Sequence, residues 1–271
     1  MIGVFDSGVG GLTVVKEIFK YFPQEKVFYF GDTLHLPYGT KSEKTIKNYS
    51  EKIVSWFQKE NINLIIIACN TASSWAEEYL KNKFKDIYIF GMIEPTVKEV
   101  SRIYKDKKIK KIGVIGTSGT IKSRVYEKKL LEINKNFKIY SKSCPLFVSL
   151  IEEGLIKDKI TKEVTLKYLK PLKEKNIDAL ILGCTHYPLI KDLIYEILGE
   201  DILIINPAEA LIKELKLFFE NNKGIKNKKE KNHKFFFSDV PYNFEKIKNF
   251  CFNKKININF EIKNPFNEKI I

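Results

Sequence analysis

Short apolar runs rich in β-branched residues alternate along the chain with longer amphipathic stretches. The runs predict strands at Met1–Phe5, Val27–Phe30, Leu64–Ala68, Ile87–Phe90, Ile112–Ile115, Lys138–Ser141, Ala179–Gly183 and Ile202–Ile205. The amphipathic stretches predict helices that include Leu12–Phe19, Ser42–Lys59, Thr96–Tyr104, Arg124–Asn134 and Thr161–Lys175. Strands and helices in alternation imply an α/β protein with parallel sheets.

The pattern also repeats. IGVFDSGVGGL from Ile2 is similar to IGVIGTSGTI from Ile112, an offset of 112 − 2 = 110. LIIIACNT around Cys69 is similar to LILGCTH around Cys184, an offset of 184 − 69 = 115. Two matches in the same order at nearly the same offset predict two similar lobes. Residues 1–98 form the first and 99–206 the second, each a parallel sheet between helix layers in a three-layer sandwich. A further strand at Phe235–Phe237 returns residues 207–271 to the first lobe, and the polar, lysine-rich Asn221–Lys234 reads as an exposed loop. Parallel sheets bind ligands beyond the carboxyl ends of their strands. Asp6, Asp32, Cys69, Gly116–Ser118 and Cys184 all follow apolar runs, so lobes that face each other place an active site in the cleft between them.

Composition narrows the class. A chain of 271 residues with 44% hydrophobic positions is globular. The start, MIGVFDSG, has no secretory leader pattern, and the apolar runs fall short of the ~20 residues that span a bilayer. The expectation is a cytoplasmic protein with no membrane partner, in which Cys69, Cys144, Cys184 and Cys251 stay reduced. No CxxC pair suggests a metal site. The net charge of +14 raises nucleic acid as a partner, but Arg102 and Arg124 are the only arginines among the basic residues. Scattered lysines read as a solvated surface, so nucleic acid is not expected; a positive field would also steer a small acidic substrate.

Cys144 and Cys251 read as small buried apolar residues. Cys69 and Cys184 differ because each opens a polar cluster at the start of a helix: Asn70, Thr71 and Ser73 after one, Thr185, His186 and Tyr187 after the other. Exposed N–H groups at a helix start stabilise a thiolate and bind a carboxylate. Inversion of an α-carbon needs a base on one face and an acid on the other, and two opposed thiols meet that need. A free cysteine, with a pKa of roughly 8.5, is mostly protonated at neutral pH, so neighbours must assist. Asp6 and His186 stand in sequence where such helpers belong. The glycines of GVGG, Gly8–Gly11, suit either an approach of backbone N–H groups to a small anion or a tight turn; they do not complete a nucleotide-binding GxGxxG. Nothing specific points to pyridoxal phosphate, although lysine is too common to exclude it by composition.

With these residues in view, the chain resembles the glutamate racemases. The resemblance rests on FDSGVGGLTV (5–14), GDTLHLPYG (31–39), ACNTAS (68–73), IEP (93–95), IGTSGTI (115–121), CPLFVSLIEEG (144–154) and GCTHYPLI (183–190). It implies a cofactor-independent isomerase that interconverts L- and D-glutamate for peptidoglycan synthesis, with no metal. Cys69 and Cys184 would be the catalytic thiols, assisted by Asp6, His186 and Glu152, the last preferred over adjacent Glu153. Asp6, Ser7, Tyr38, Gly39, Asn70, Thr71, Thr185 and His186 would hold the substrate. A homodimer is common in the family and is left open here.

Departures from the pattern are His35, expected to be incidental, Ser74 and Ser149 in place of alanine and proline, and Asn206 where aspartate is common. The start of the chain also implies no control by a peptidoglycan precursor through an N-terminal extension. Aspartate racemisation, a DNA- or gyrase-binding role and a thiol redox function are the alternatives; His186 in CTH favours glutamate over aspartate.

Overall fold

The computed structural model describes residues 1–222, 232–252 and 258–266. The described strands are β1 (Ile2–Asp6), β2 (Val27–Gly31), β3 (Leu64–Ile67), β4 (Tyr88–Phe90), β5 (Lys111–Gly116), β6 (Lys138–Ser143), β7 (Ala179–Gly183), β8 (Leu203–Ile205), β9 (Lys234–Phe237) and β10 (Glu261–Ile262). They form two sheets, ordered β10-β9-β2-β1-β3-β4 and β6-β5-β7-β8, and every pairing is parallel. β1, β2, β3 and β7 are buried at every position, as strands covered by helices on both faces must be.

The internal repeat is the centre of each sheet. Val4 lies opposite Ile66 in the first, and Val114 opposite Ile181 in the second. The offsets read from the sequence carry one pair onto the other, since 4 + 110 = 114 and 66 + 115 = 181. Equivalent strands therefore pair in the same register. The β1 and β3 ends then stand to the first sheet as the β5 and β7 ends stand to the second.

Helices α1 (Leu12–Tyr21), α2 (Glu43–Lys59), α3 (Asn70–Lys83) and α4 (Ile93–Ile103) follow the first four strands. α5 (Ser118–Ser123), α6 (Val125–Ile133), α7 (Leu146–Glu152), α8 (Lys159–Glu174), α9 (Lys191–Leu198), α10 (Pro207–Asn221) and α11 (Phe244–Phe252) complete the set. Ser42 caps α2 by accepting the Thr45 N–H, and Asp158 caps α8 by accepting that of Ile160. α4 begins three residues before the expected Thr96, because Pro95 sits in its first turn, where a missing N–H costs nothing.

A division between residues 98 and 99 falls within α4, whose buried Ile93, Val97 and Val100 join the core of the second sheet with Ile112 and Ile181. α4 is thus a joint between the two layers. Lys98 and Arg102 on its other side pair with Glu214 of α10. Most of the expected loop at Asn221–Lys234 lies outside the described residues; Asn221 itself ends α10. Asn206, where a carboxylate is common, caps α10 with its side-chain oxygen on the Ala208 N–H. No helix among the described residues is long and apolar enough to cross a membrane.

Candidate active site

The carboxyl ends of β1, β3 and β7 converge on one cavity. It is lined by Ser7, Leu36, Pro37, Tyr38, Gly39, Cys69, Asn70, Thr71, Thr117, Val148, Gly183, Cys184, Thr185 and His186. Cys69 and Cys184 come to it from different sheets, and each is 6% exposed. Of the residues expected to catalyse or to hold the substrate, Asp6 and Glu152 are absent from the lining. Both lie directly behind it.

Cys69 is the N-cap residue of α3. Its extended backbone turns the chain from β3 into the helix, so its sulfur sits at the free N–H groups and accepts from the Ala72 N–H. Its Sγ is also 3.7 Å from Ser7 Oγ. Burial, with the Asp6 charge adding to it, pushes the Cys69 thiol up to about 12 against these donors. Asp6 is fully buried. Its Oδ2 accepts from the Gly8 N–H at 3.0 Å, and Thr185 Oγ donates to Oδ1 at 3.5 Å. Burial raises the Asp6 carboxyl, while His186 and the N–H groups of Gly8 and Gly11 pull it back. The glycine turn does bring backbone N–H groups to an anion, and that anion is the carboxylate of Asp6.

Cys184 has a different setting. It does not open an α-helix, as expected, but precedes a single 3-10 turn, Tyr187–Ile190, before α9. Pro188 in that turn has no N–H to give. The neighbour that matters is His186, with Nδ1 3.8 Å from Cys184 Sγ and Nε2 2.8 Å from Glu152 Oε1. Burial works to lower the His186 pKa, but Cys184 and Glu152 together outweigh it and raise it to about 10. The adjacent glutamates of α7 point apart: Glu153 meets Lys246 on the surface. Gly10 makes room for the ring, since a β-carbon there would lie 2.4 Å from His186 Cε1 and 2.5 Å from Thr185 Oγ.

Cross-lobe hydrogen bonds close the cavity. Thr71 Oγ is 2.8 Å from Thr117 Oγ and 3.1 Å from Thr120 Oγ, and Thr13 Oγ donates to the Thr185 carbonyl at 2.8 Å. Tyr126 OH donates to Asn70 Oδ1 at 2.8 Å. Tyr38 is fixed from behind by Asp32, whose Oδ2 accepts its hydroxyl at 2.6 Å. Asp32 is itself buried, and Ser238 Oγ and His35 Nδ1 also reach it, at 2.7 and 2.9 Å. His35, expected to be incidental, is therefore part of this anchor, with its ring stacked on Tyr49. Ser74 donates back to the Asn70 carbonyl and Ser149 is exposed, so neither departure alters the cavity.

Sequence reading missed Leu36, Pro37, Val148 and Tyr126. The first three are apolar wall residues with no chemical signature. Tyr126 lies within a helix pattern, with nothing local to mark its reach into the other lobe.

A model of the Asp/Glu/hydantoin racemase family matches residues 2–215. The glutamate racemase of Geobacter metallireducens is 42% identical over 249 residues, which cover 92% of this chain and 91% of that one. The glutamate racemase of Aquifex aeolicus is 44% identical over 246 residues, 91% of each chain. The structure of glutamate racemase from Francisella tularensis in complex with D-glutamate superposes with a TM-score of 0.88. It is 37% identical and covers 98% of this chain and 97% of that one.

Proposed function

The chain belongs to the Asp/Glu/hydantoin racemase family and is an amino-acid racemase, and on that premise we propose that it interconverts L- and D-glutamate by two-base proton transfer between Cys69 and Cys184. The observation that carries the reading is the pair of thiols reaching one cavity from two sheets, each with its own proton-handling neighbour. One thiol takes the α-hydrogen from its face of the substrate while the other returns a proton to the opposite face. Cys69, held as a thiol by burial and Asp6, is the ready donor; Cys184 exchanges its proton with His186, which Glu152 orients. In the reverse direction the roles swap.

The substrate α-carboxylate and ammonium fall to Ser7, Asn70, Thr71, Thr185 and His186, with Asp6, expected among the substrate-binding residues, acting from behind the lining through Thr185, and with Tyr38 and Gly39 closing the far wall. Residues 1–98 with 207–271 act as one lobe and 99–206 as the other, joined at α4. The product would feed peptidoglycan synthesis in the cytoplasm.

The test is incubation of the protein with L-glutamate in D2O without added cofactor. Formation of D-glutamate carrying α-deuterium is expected, and Cys69→Ala or Cys184→Ala should abolish inversion. L-aspartate in parallel decides the substrate. Neither exchange nor inversion with glutamate would remove the reading.

A further inference from the structure

Tyr126 touches the neighbours of both thiols without reaching the cavity. It lies on α6 in the second lobe and is 3% exposed. Its hydroxyl crosses the seam to Asn70 Oδ1 at 2.8 Å, and Asn70 directly follows Cys69 at the start of α3. Its ring lies against Gly183, the residue before Cys184; a β-carbon on Gly183 would be 3.3 Å from Tyr126 Cε2. A side chain at 183 would meet this ring and the Ile115 carbonyl, so the ring and the bare backbone fit each other. One rigid phenol therefore spans from the base of one thiol to the base of the other.

We infer that Tyr126 is a positioning residue that sets the placement of Cys69 and Asn70 through its hydroxyl and of Cys184 through its ring. The inference builds on the reading of Cys69 and Cys184 as the acid–base pair. With Oδ1 of Asn70 committed to Tyr126, the amide NH2 is the part left to face the substrate. The two halves of the phenol have separate tasks, and each can be removed alone.

Two variants and one background separate them. Alkylation of each cysteine by iodoacetamide, followed by peptide mass spectrometry, reads thiol placement without turnover. Tyr126→Phe keeps the ring and should speed alkylation of Cys69 roughly fivefold, the factor of one hydrogen bond, leaving Cys184 and Cys251 unchanged. Tyr126→Leu should speed both Cys69 and Cys184. Cys251, buried in α11, reports global opening and should change in neither.

In steady-state racemisation of L-glutamate, Tyr126→Phe should raise KM roughly fivefold. In an Asn70→Ala background it should raise KM no further, because the hydroxyl acts through that amide. Equal acceleration at Cys69, Cys184 and Cys251 would reduce Tyr126 to a fold-stabilising residue and overturn the inference. So would an unchanged Cys69, or a KM effect that persists without Asn70. Absence of turnover by the unaltered protein would instead count against the racemase substrate, and alkylation would still decide the role of Tyr126.

Discussion

Replacing Glu152 by glutamine tests whether His186 owes its proton to that carboxylate. Glutamine keeps the shape and an acceptor oxygen 2.8 Å from Nε2 but removes the charge. Burial depresses the imidazole, and Cys184 and Glu152 together lift it to about 10. Loss of a neighbouring opposite charge is worth on the order of 1–3 pKa units. His186 in the variant should therefore titrate at roughly 7–9. Each unit is about 1.4 kcal/mol of preference for the protonated ring.

The stability consequence has a definite sign. A histidine whose folded pKa is raised from 6.5 contributes stability that is full below 6.5 and is lost as pH rises through about 10. The melting-temperature gap between unaltered protein and variant should thus be widest near pH 6 and close by about pH 10. The activity consequence runs alongside it. The alkaline limb of kcat/KM, followed by circular dichroism of the enantiomers, should move 1–3 units toward acid. The two enantiomers are equal in free energy, so kcat/KM must agree in both directions for every variant; only kcat and KM separately can diverge. An unmoved alkaline limb with a pH-independent melting gap would refute the argument and leave Glu152 as packing alone.

Two further substitutions test the surroundings. Gly10→Ala places a methyl group on His186 and Thr185, so it should lower kcat at least about tenfold and cost roughly 1–3 kcal/mol in thermal unfolding; activity like that of the unaltered protein would mean that the ring shifts freely. Asp32→Ala leaves the hydroxyls of Tyr38 and Ser238 without their buried acceptor, which should cost about 2–5 kcal/mol in urea unfolding and raise KM through Tyr38. Asp32→Asn should cost less, and a loss under about 1 kcal/mol for the alanine variant would show that water replaces the carboxylate.

The central strands were legible because apolar, β-branched runs buried on both faces mark them, and the repeat named them in each sheet; β10, two exposed residues, carries no such run and was not foreseen. The positions of Cys69, Asp6 and Thr71 followed from strand ends. Glu152 and Glu153 could not be separated by sequence, since adjacent residues on a helix differ only by rotation about its axis; the contact with His186 distinguishes them. The role of GVGG was only half visible. Spacing shows a turn, but that Gly10 accommodates a ring from a segment 176 residues later, 186 − 10, is a property of how the lobes meet. His35 and Tyr126 were opaque for the same reason: their partners are set by tertiary packing.

That meeting of lobes also shapes the cavity itself. The cavity between the thiols is enclosed by strand ends of both sheets and by Leu36, Pro37 and Val148. Its walls are strand ends and helix starts within a close-packed core, so its shape depends on how the two lobes are set against each other. The seam is held by Thr71–Thr117, Thr13–Thr185, Thr185–Asp6 and Tyr126–Asn70, which join the lobes. Each of these bonds includes a cavity residue. If substrate enters by a parting of the lobes, its admission would loosen the contacts of Asn70, Thr71 and Thr185, and closure over it would remake them. Under the proposed two-thiol reading, binding and alignment for proton transfer would then be one event, since the groups proposed to grip the substrate would reach their working positions as the two thiols come to face it.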